Sequence, residues 1–212
     1  MKEDGYKKIV KHYENCLKKH GDTHLGVDWP KLEDVDKRYE VMVDIIRINN
    51  DSDNKVSLLD FGCGTAHLFG FLDRKNYHNI SYIGLDISQK FIDIAKNKYP
   101  NSTFYCVDIL DSNKSIPNFD YVIMNGIFTE KRELSFDEMW NYFTKLIAVI
   151  YSKTKKGFAF NVMSKTVEWE RDDLFHVSLD ALSDFLSKKL TRNFIIRNDY
   201  GLFEYTVYVF KK

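Results

Sequence analysis

Three aspartates, Asp60, Asp86 and Asp108, each stand at the end of a short apolar run, and Gly62 and Gly64 closely follow the first. A carboxylate beyond the end of a strand is a hydrogen-bond acceptor facing whatever lies above the sheet. Asp86, ending Tyr82-Ile83-Gly84-Leu85-Asp86, can accept from both hydroxyls of a ribose, and Ile87 offers an apolar wall to an adenine face. Asp108, in Cys106-Val107-Asp108-Ile109, is placed to accept from an exocyclic adenine amine. Asp60 suits a cationic amino acid end. The two glycines lack a Cβ, so the backbone between a strand and a helix can take positive φ and let a ligand approach closely. Such a turn is expected to aim the free N–H groups of the helix's first turn at the ligand. An aspartate alone is more often a strand-end or capping residue. Three after successive strands, beside a glycine turn, favour a nucleotide-like ligand with a charged tail. A dinucleotide fingerprint would need a small residue at position 67, where this chain has His67, which counts against NAD.

The run Asp60-Phe61-Gly62-Cys63-Gly64-Thr65 resembles motif I of class I S-adenosylmethionine (SAM) dependent methyltransferases, with Ala66 where that family usually has a third glycine. Asp86 with Ile87, and Asp108 with Ile109, match its motifs II and III, and the resemblance extends from about residue 52 to the C-terminus. It implies SAM as cofactor, S-adenosylhomocysteine (SAH) as product and no metal. The cofactor positions it implies are Asp60, Gly62, Cys63, Gly64, Asp86, Ile87, Asp108, Ile109 and Asn125. The stretch ending in Asn125-Gly126-Ile127-Phe128 resembles motif IV, the floor below the methyl group. It lacks the two prolines of exocyclic-amine methylases and the Pro-Cys pair of cytosine-C5 enzymes, which disfavours nucleic acid. Segments similar to His20-Gly21-Asp22 and Gly26-Val27-Asp28-Trp29 precede motif I in small stand-alone bacterial methyltransferases. Trp29 is expected to stack on or shield the sulfonium, and Arg38 to pair with the cofactor carboxylate; the competing expectation makes Trp29 a staple between helices and Arg38 a solvated helix residue. His24, His176, Tyr200 and Glu204 are the candidates for a base or for positioning the acceptor. His20 and His24 make a poor metal pair, because Gly21 breaks helical register.

The elements that must position these groups alternate. An amphipathic helix over residues 3–19 carries Ile9, Val10, Tyr13 and Leu17 on one face; a Trp- and His-bearing loop follows, and Pro30 suits the start of a second helix running to about residue 48. A first strand is expected to open at residue 56, with others at 81–85, 103–107, 119–124 and 157–162, then two more at 193–197 and 204–210. Ser88 is a predicted cap, Ser135 with Glu138 a capping box, and Ser178 a helix start. Helical crossovers require parallel strands, and the tight final turn an antiparallel one. The fold class is therefore α/β: a doubly wound, mostly parallel seven-stranded sheet with an antiparallel C-terminal strand, in a three-layer sandwich. A helical cover (1–50) precedes the Rossmann-like core (51–212) within one domain.

Composition narrows the partners. At 212 residues, with 31 basic and 31 acidic side chains, no net field draws the chain to nucleic acid or membrane. Its 16 Phe and 13 Tyr imply a well-filled core and an aromatic-lined pocket. Three scattered cysteines without a C-x-x-C argue against a disulfide framework, and no apolar run has membrane-spanning length. The expectation is a cytoplasmic enzyme, monomer or homodimer, moving a methyl group from SAM to O or N of a small molecule. The competing reading is a SAM-binding regulatory or scaffold subunit without turnover.

Overall fold

The structure, a computed structural model, describes residues 5–51, 53–111 and 115–211. Residues 3 and 4 of the expected first helix, and residue 52 at the start of the core, lie outside the described residues. The sheet is built on β1 (Val56–Phe61), which pairs in parallel with β2 (Ile80–Asp86) on one side and β4 (Phe119–Phe128) on the other. Beyond β2 lies β3 (Thr103–Cys106); beyond β4 come β5 (Thr154–Ser164), then β8 (Glu204–Phe210) and β7 (Phe194–Arg197). A two-residue β6 (His176–Val177) pairs with β5, so the sheet has eight strands rather than seven. Only β8 runs against its neighbours, antiparallel to both β5 and β7. Because the chain winds from β1 outward through β2 and β3 and then returns to β4, the winding reverses between β1 and β4, where ligands of doubly wound sheets bind.

Strict alternation along the strands fills both faces. Leu58, Tyr82, Tyr121, Ile123 and Ala159 pack with α2 (Glu33–Ile48), α3 (His67–Arg74) and α4 (Gln89–Lys98). Leu59, Leu85, Val122, Met124 and Phe160 pack with α5 (Phe136–Lys153) and α6 (Leu179–Lys189). α1 (Tyr6–His20) contributes Ile9 to the second face and lies over the carboxyl end of the sheet.

Some local expectations are modified. The capping box forms: Ser135 Oγ accepts from the Glu138 N–H at 3.2 Å, and the Ser135 N–H donates to Glu138 Oε2 at 2.9 Å. Ser178 Oγ accepts from the Ala181 N–H. Ser88 stands at the cap of α4, but its hydroxyl donates to Glu14 Oε1 of α1 at 2.8 Å instead of capping. Pro30 does not open the second helix, which begins at Glu33 after a 3-10 turn over His24–Val27. β4 runs on to Phe128 with a register shift after Met124, and Gly126 (φ 83°) lies in that irregular stretch. Ala66 sits in the left-handed region (φ 64°), the conformation that favours glycine at the third motif I position.

Candidate active site

The carboxyl ends of β1, β2 and β4 and the turn after β3 open into one cavity, roofed by α1 and the loop that follows it. Ten of the eleven expected cofactor residues line it: Trp29, Asp60, Gly62, Cys63, Gly64, Asp86, Ile87, Asp108, Ile109 and Asn125. Arg38 does not.

The glycine turn is stitched to the end of β2. The Gly62 and Cys63 N–H groups both donate to the Leu85 carbonyl, at 2.7 and 2.9 Å, and the Gly64 N–H to Asp86 Oδ2 at 3.0 Å. These turn N–H groups are therefore spent on the fold. The turn offers shape instead: a Cβ on Gly62 would fall 2.0 Å from Ile127 Cδ1. Asp86 also accepts the Ser88 N–H at 2.8 Å, one bond per oxygen, and each oxygen retains a lone pair.

Burial dominates the electrostatics. It pushes the Asp86 carboxyl up to about 6, against the pull of its backbone donors. It pushes Asp60 up to about 7; Tyr82, whose hydroxyl donates to Asp60 Oδ2 at 2.7 Å, opposes the shift, and the charge of Asp86 adds to it. Both carboxyls accept hydrogen bonds, but neither has a cationic partner among the causes of its shift; a ligand bearing an ammonium and ribose hydroxyls would add a charge and further donors. The consequence for stability is opposite to the usual salt-bridged aspartate. Between the unfolded carboxyl pKa of about 3.9 and the folded values, the native state holds more protons than the unfolded chain, so its stability falls as pH rises through that window. Thermal melts of the ligand-free protein across this range should show that fall, and Asp60→Asn, which still accepts from Tyr82, should flatten it. An identical profile in the variant would remove Asp60 from this role.

Asp108 already has partners: Oδ2 accepts the Tyr6 hydroxyl at 2.6 Å and Oδ1 the Leu110 N–H at 3.0 Å. Tyr6 stacks on Tyr142 with ring centroids 4.8 Å apart, so aromatic side chains of α1 and α5 close this end of the cavity.

The cover is pinned at several points. Asp22 accepts from Thr65 Oγ1 at 2.5 Å, meets His67 Nε2 at 2.7 Å, and pairs with Lys98 at 2.7 Å. Although burial opposes it, Lys98 and Thr65 hold the Asp22 carboxyl below the usual range. Glu14 ties α1 to Ser88 and Lys90. Tyr13 donates to the Gly126 carbonyl at 3.2 Å, and a Cβ on Gly126 would meet Trp29 Nε1 at 3.5 Å. Trp29 and Tyr13 therefore both bear on the irregular end of β4. Asp22, Tyr6 and Glu14 were not singled out from the sequence, and Tyr13 was read only as part of an apolar helix face; Asp22 lay inside the noted His-Gly-Asp segment. Asp22→Ala should detach the loop and weaken SAH binding about tenfold, the effect of losing one charge-assisted network contact. Calorimetric titration measures it; unchanged affinity would make the Asp22 cluster a purely structural tie.

The remaining candidates lie off the cavity. His24 Nδ1 pairs with the Trp29 carbonyl at 2.6 Å and braces the loop. His176 is buried, with Nδ1 on the Ser164 carbonyl at 2.6 Å and Nε2 accepting the Arg171 N–H at 3.2 Å, so neither nitrogen is left for a substrate. Tyr200 shares a hydrogen bond with Thr206 at 2.9 Å. Glu204 is buried and takes both contacts of Arg38, at 3.2 and 3.1 Å. Arg38 is thereby committed to Glu204 and to the face of Trp29, 5.1 Å away, instead of to a cofactor carboxylate. Among the described residues, one His/Cys/acid group has ligand atoms within 4.8 Å of one another, His12, Cys16 and Asp28; it lies outside the cavity lining.

Comparison with known proteins agrees with this geometry. Residues 59–147 match a family model described as a methyltransferase domain. A Mycobacterium tuberculosis protein whose name assigns it to the methyltransferases is 28% identical over 172 residues, covering 78% of this chain and 99% of its own. Magnesium protoporphyrin IX methyltransferase from Synechocystis, in a crystal structure with bound SAH, superposes with a TM-score of 0.66 at 15% identity, covering 97% of this chain and 99% of that one. The plantazolicin methyltransferase, crystallised with a triazolic desmethylplantazolicin analogue and SAH, gives 0.61 at 13% identity over 97% of this chain and 90% of that one. No helix among the described residues is long and apolar enough to cross a membrane. The chain thus shares its fold with SAM-dependent methyltransferases, and residues 59–147 match a methyltransferase domain.

Proposed function

We propose that the cavity binds SAM with its ribose on Asp86 and its ammonium facing Asp60, and that the chain transfers the methyl group to a small molecule. The observation that carries this reading is the pair of buried carboxyls at the ends of β1 and β2, both raised by burial and both opening on the same cavity. The residues present fit the cofactor. The adenine end is bounded by Ile87, Asp108, Ile109 and Tyr142, and the methionine end by the glycine turn and Asn125.

When bound, SAM supplies an electrophilic methyl carbon on a sulfonium. The chain's own work is to hold the acceptor in line with that carbon and to keep water out. Tyr13, Trp29 and Ile127 do so where the cover meets β4. Two neighbours whose names give a porphyrin and a plantazolicin substrate support an acceptor smaller than a macromolecule. Incubation with methyl-labelled SAM, a small-metabolite extract and a chelator tests the reading. Labelled small molecules and SAH should form at undiminished rate with the chelator present. Label only in protein or nucleic acid, or none anywhere, would overturn it.

A further inference from the structure

Asn125, at the acceptor end of the cavity, has its amide orientation dictated by groups behind it. The Gly126 N–H is an unambiguous donor and reaches Asn161 Oδ1 at 2.8 Å. Asn161 must therefore turn its Nδ2 the other way, and there it donates to Glu204 Oε1 at 2.9 Å and to Asn125 Oδ1 at 3.3 Å. The reverse flip of Asn161 would set its NH2 against the Gly126 N–H and its oxygen against a carboxylate. Arg38, gripping Glu204 from the far side, fixes that carboxylate in turn. With Asn125 Oδ1 thus occupied, its Nδ2 is the free end, and that buried nitrogen has no hydrogen-bond partner. A buried donor of this kind calls for an acceptor atom on a ligand.

We infer that the methyl acceptor is an oxygen, presented as a carboxylate or an acidic phenolate or enolate, with Asn125 Nδ2 donating to it. The inference rests on the methyltransferase reading above and names its acceptor class. An amine nitrogen has a single lone pair, which it must spend on the methyl carbon; its remaining N–H groups need acceptors, and Asn125 offers a donor. An oxygen carries more than one lone pair, so it can attack the methyl carbon with one and accept from Asn125 with another. In the step, the oxygen lone pair forms the C–O bond as the C–S bond breaks, and that electron pair stays on sulfur as the neutral thioether of SAH. Beside the neighbouring Gly126 stand the Tyr13 hydroxyl, already donating to its carbonyl, and the Trp29 ring. Neither is a base, and the acceptor inferred is one that arrives already deprotonated, so that no proton needs a destination. Asn161, Glu204 and Arg38 are positioning residues that hold the amide in this orientation.

The test compares benzoate and 4-nitrophenol with benzylamine as probes, by titration into the SAH-bound protein and by turnover of methyl-labelled SAM with the metabolite extract. The oxyanions should bind in preference to the amine, and the carbon shift of the labelled methyl in the product should be that of O–CH3. Asn125→Asp, which converts the donor into a charged acceptor, should reduce oxyanion binding and O-methyl turnover at least about tenfold, and by more than it reduces SAH affinity, whose methionine end Asn125 also bounds. Asn161→Asp, which keeps the acceptor for Gly126 but removes the amide donor, should reduce O-methyl turnover with smaller effect. An N–CH3 product, no preference for the oxyanions, or a loss of SAH affinity in step with activity in Asn125→Asp would overturn the inference. A wild-type protein that binds neither SAM nor SAH would instead overturn the reading beneath it.

Discussion

Asp86→Ala is expected to weaken SAH binding by roughly two orders of magnitude or more. Two charge-assisted hydrogen bonds to ribose hydroxyls contribute about 1.5–3 kcal/mol each, and 1.4 kcal/mol is about tenfold in affinity. From its place at a strand end the residue looks dispensable to the fold, but the structure says otherwise. Asp86 accepts the Gly64 and Ser88 N–H groups, so alanine leaves two buried donors bare, at about 1–3 kcal/mol each. Relief from burying a carboxyl offsets part of that cost. The informative variant is therefore Asp86→Asn, which keeps one acceptor for the backbone but cannot serve both N–H groups and the ribose. A milder loss than alanine in both melting temperature and SAH affinity is expected. A folded Asp86→Ala protein with unchanged SAH affinity would exclude the assignment.

The second large effect concerns the cover. Trp29 bears on the Arg38 guanidinium at 5.1 Å, the Tyr39 ring at 5.4 Å and the β4 end at Gly126. It is only half-buried, so its removal should cost the fold less than a core aromatic would. It should cost methyl transfer more, on the order of a hundredfold, because a misplaced acceptor loses in-line geometry. Residues 20–38 should exchange amide protons by local opening while the sheet stays protected, and SAH should slow that exchange. The pins at Asp22 and Glu14 make this a cover that opens by breaking defined contacts. Exchange identical with and without SAH, together with a Trp29→Ala protein that loses stability and activity in step, would reduce the segment to a brace.

What could be read from the sequence is what short-range pattern encodes. The strand-end aspartates, the glycine turn and the two-sided alternation of β1 and β4 announce themselves because period and turn chemistry are local. The fate of a long polar side chain is not local. Arg38 found Glu204, 166 positions away, and Tyr6 found Asp108, 102 positions away. No spacing rule anticipates either contact. Ser88 shows the same limit on a smaller scale: its cap position was legible, but not the α1 carboxylate that claims its hydroxyl. The four candidate bases failed to reach the cavity for a related reason. Each satisfies a buried or turn carbonyl, amide, hydroxyl or ion partner that only the tertiary structure brings near.

The central claim, that this cavity holds SAM in one defined orientation, is tested most directly by a crystal structure of the protein with SAH. The ribose should lie on Asp86, the ammonium toward Asp60, the adenine between Ile87 and Tyr142, and the sulfur toward Asn125. SAH bound elsewhere, bound end for end with its adenine over Asn125, or absent from crystals grown in its excess would contradict the account.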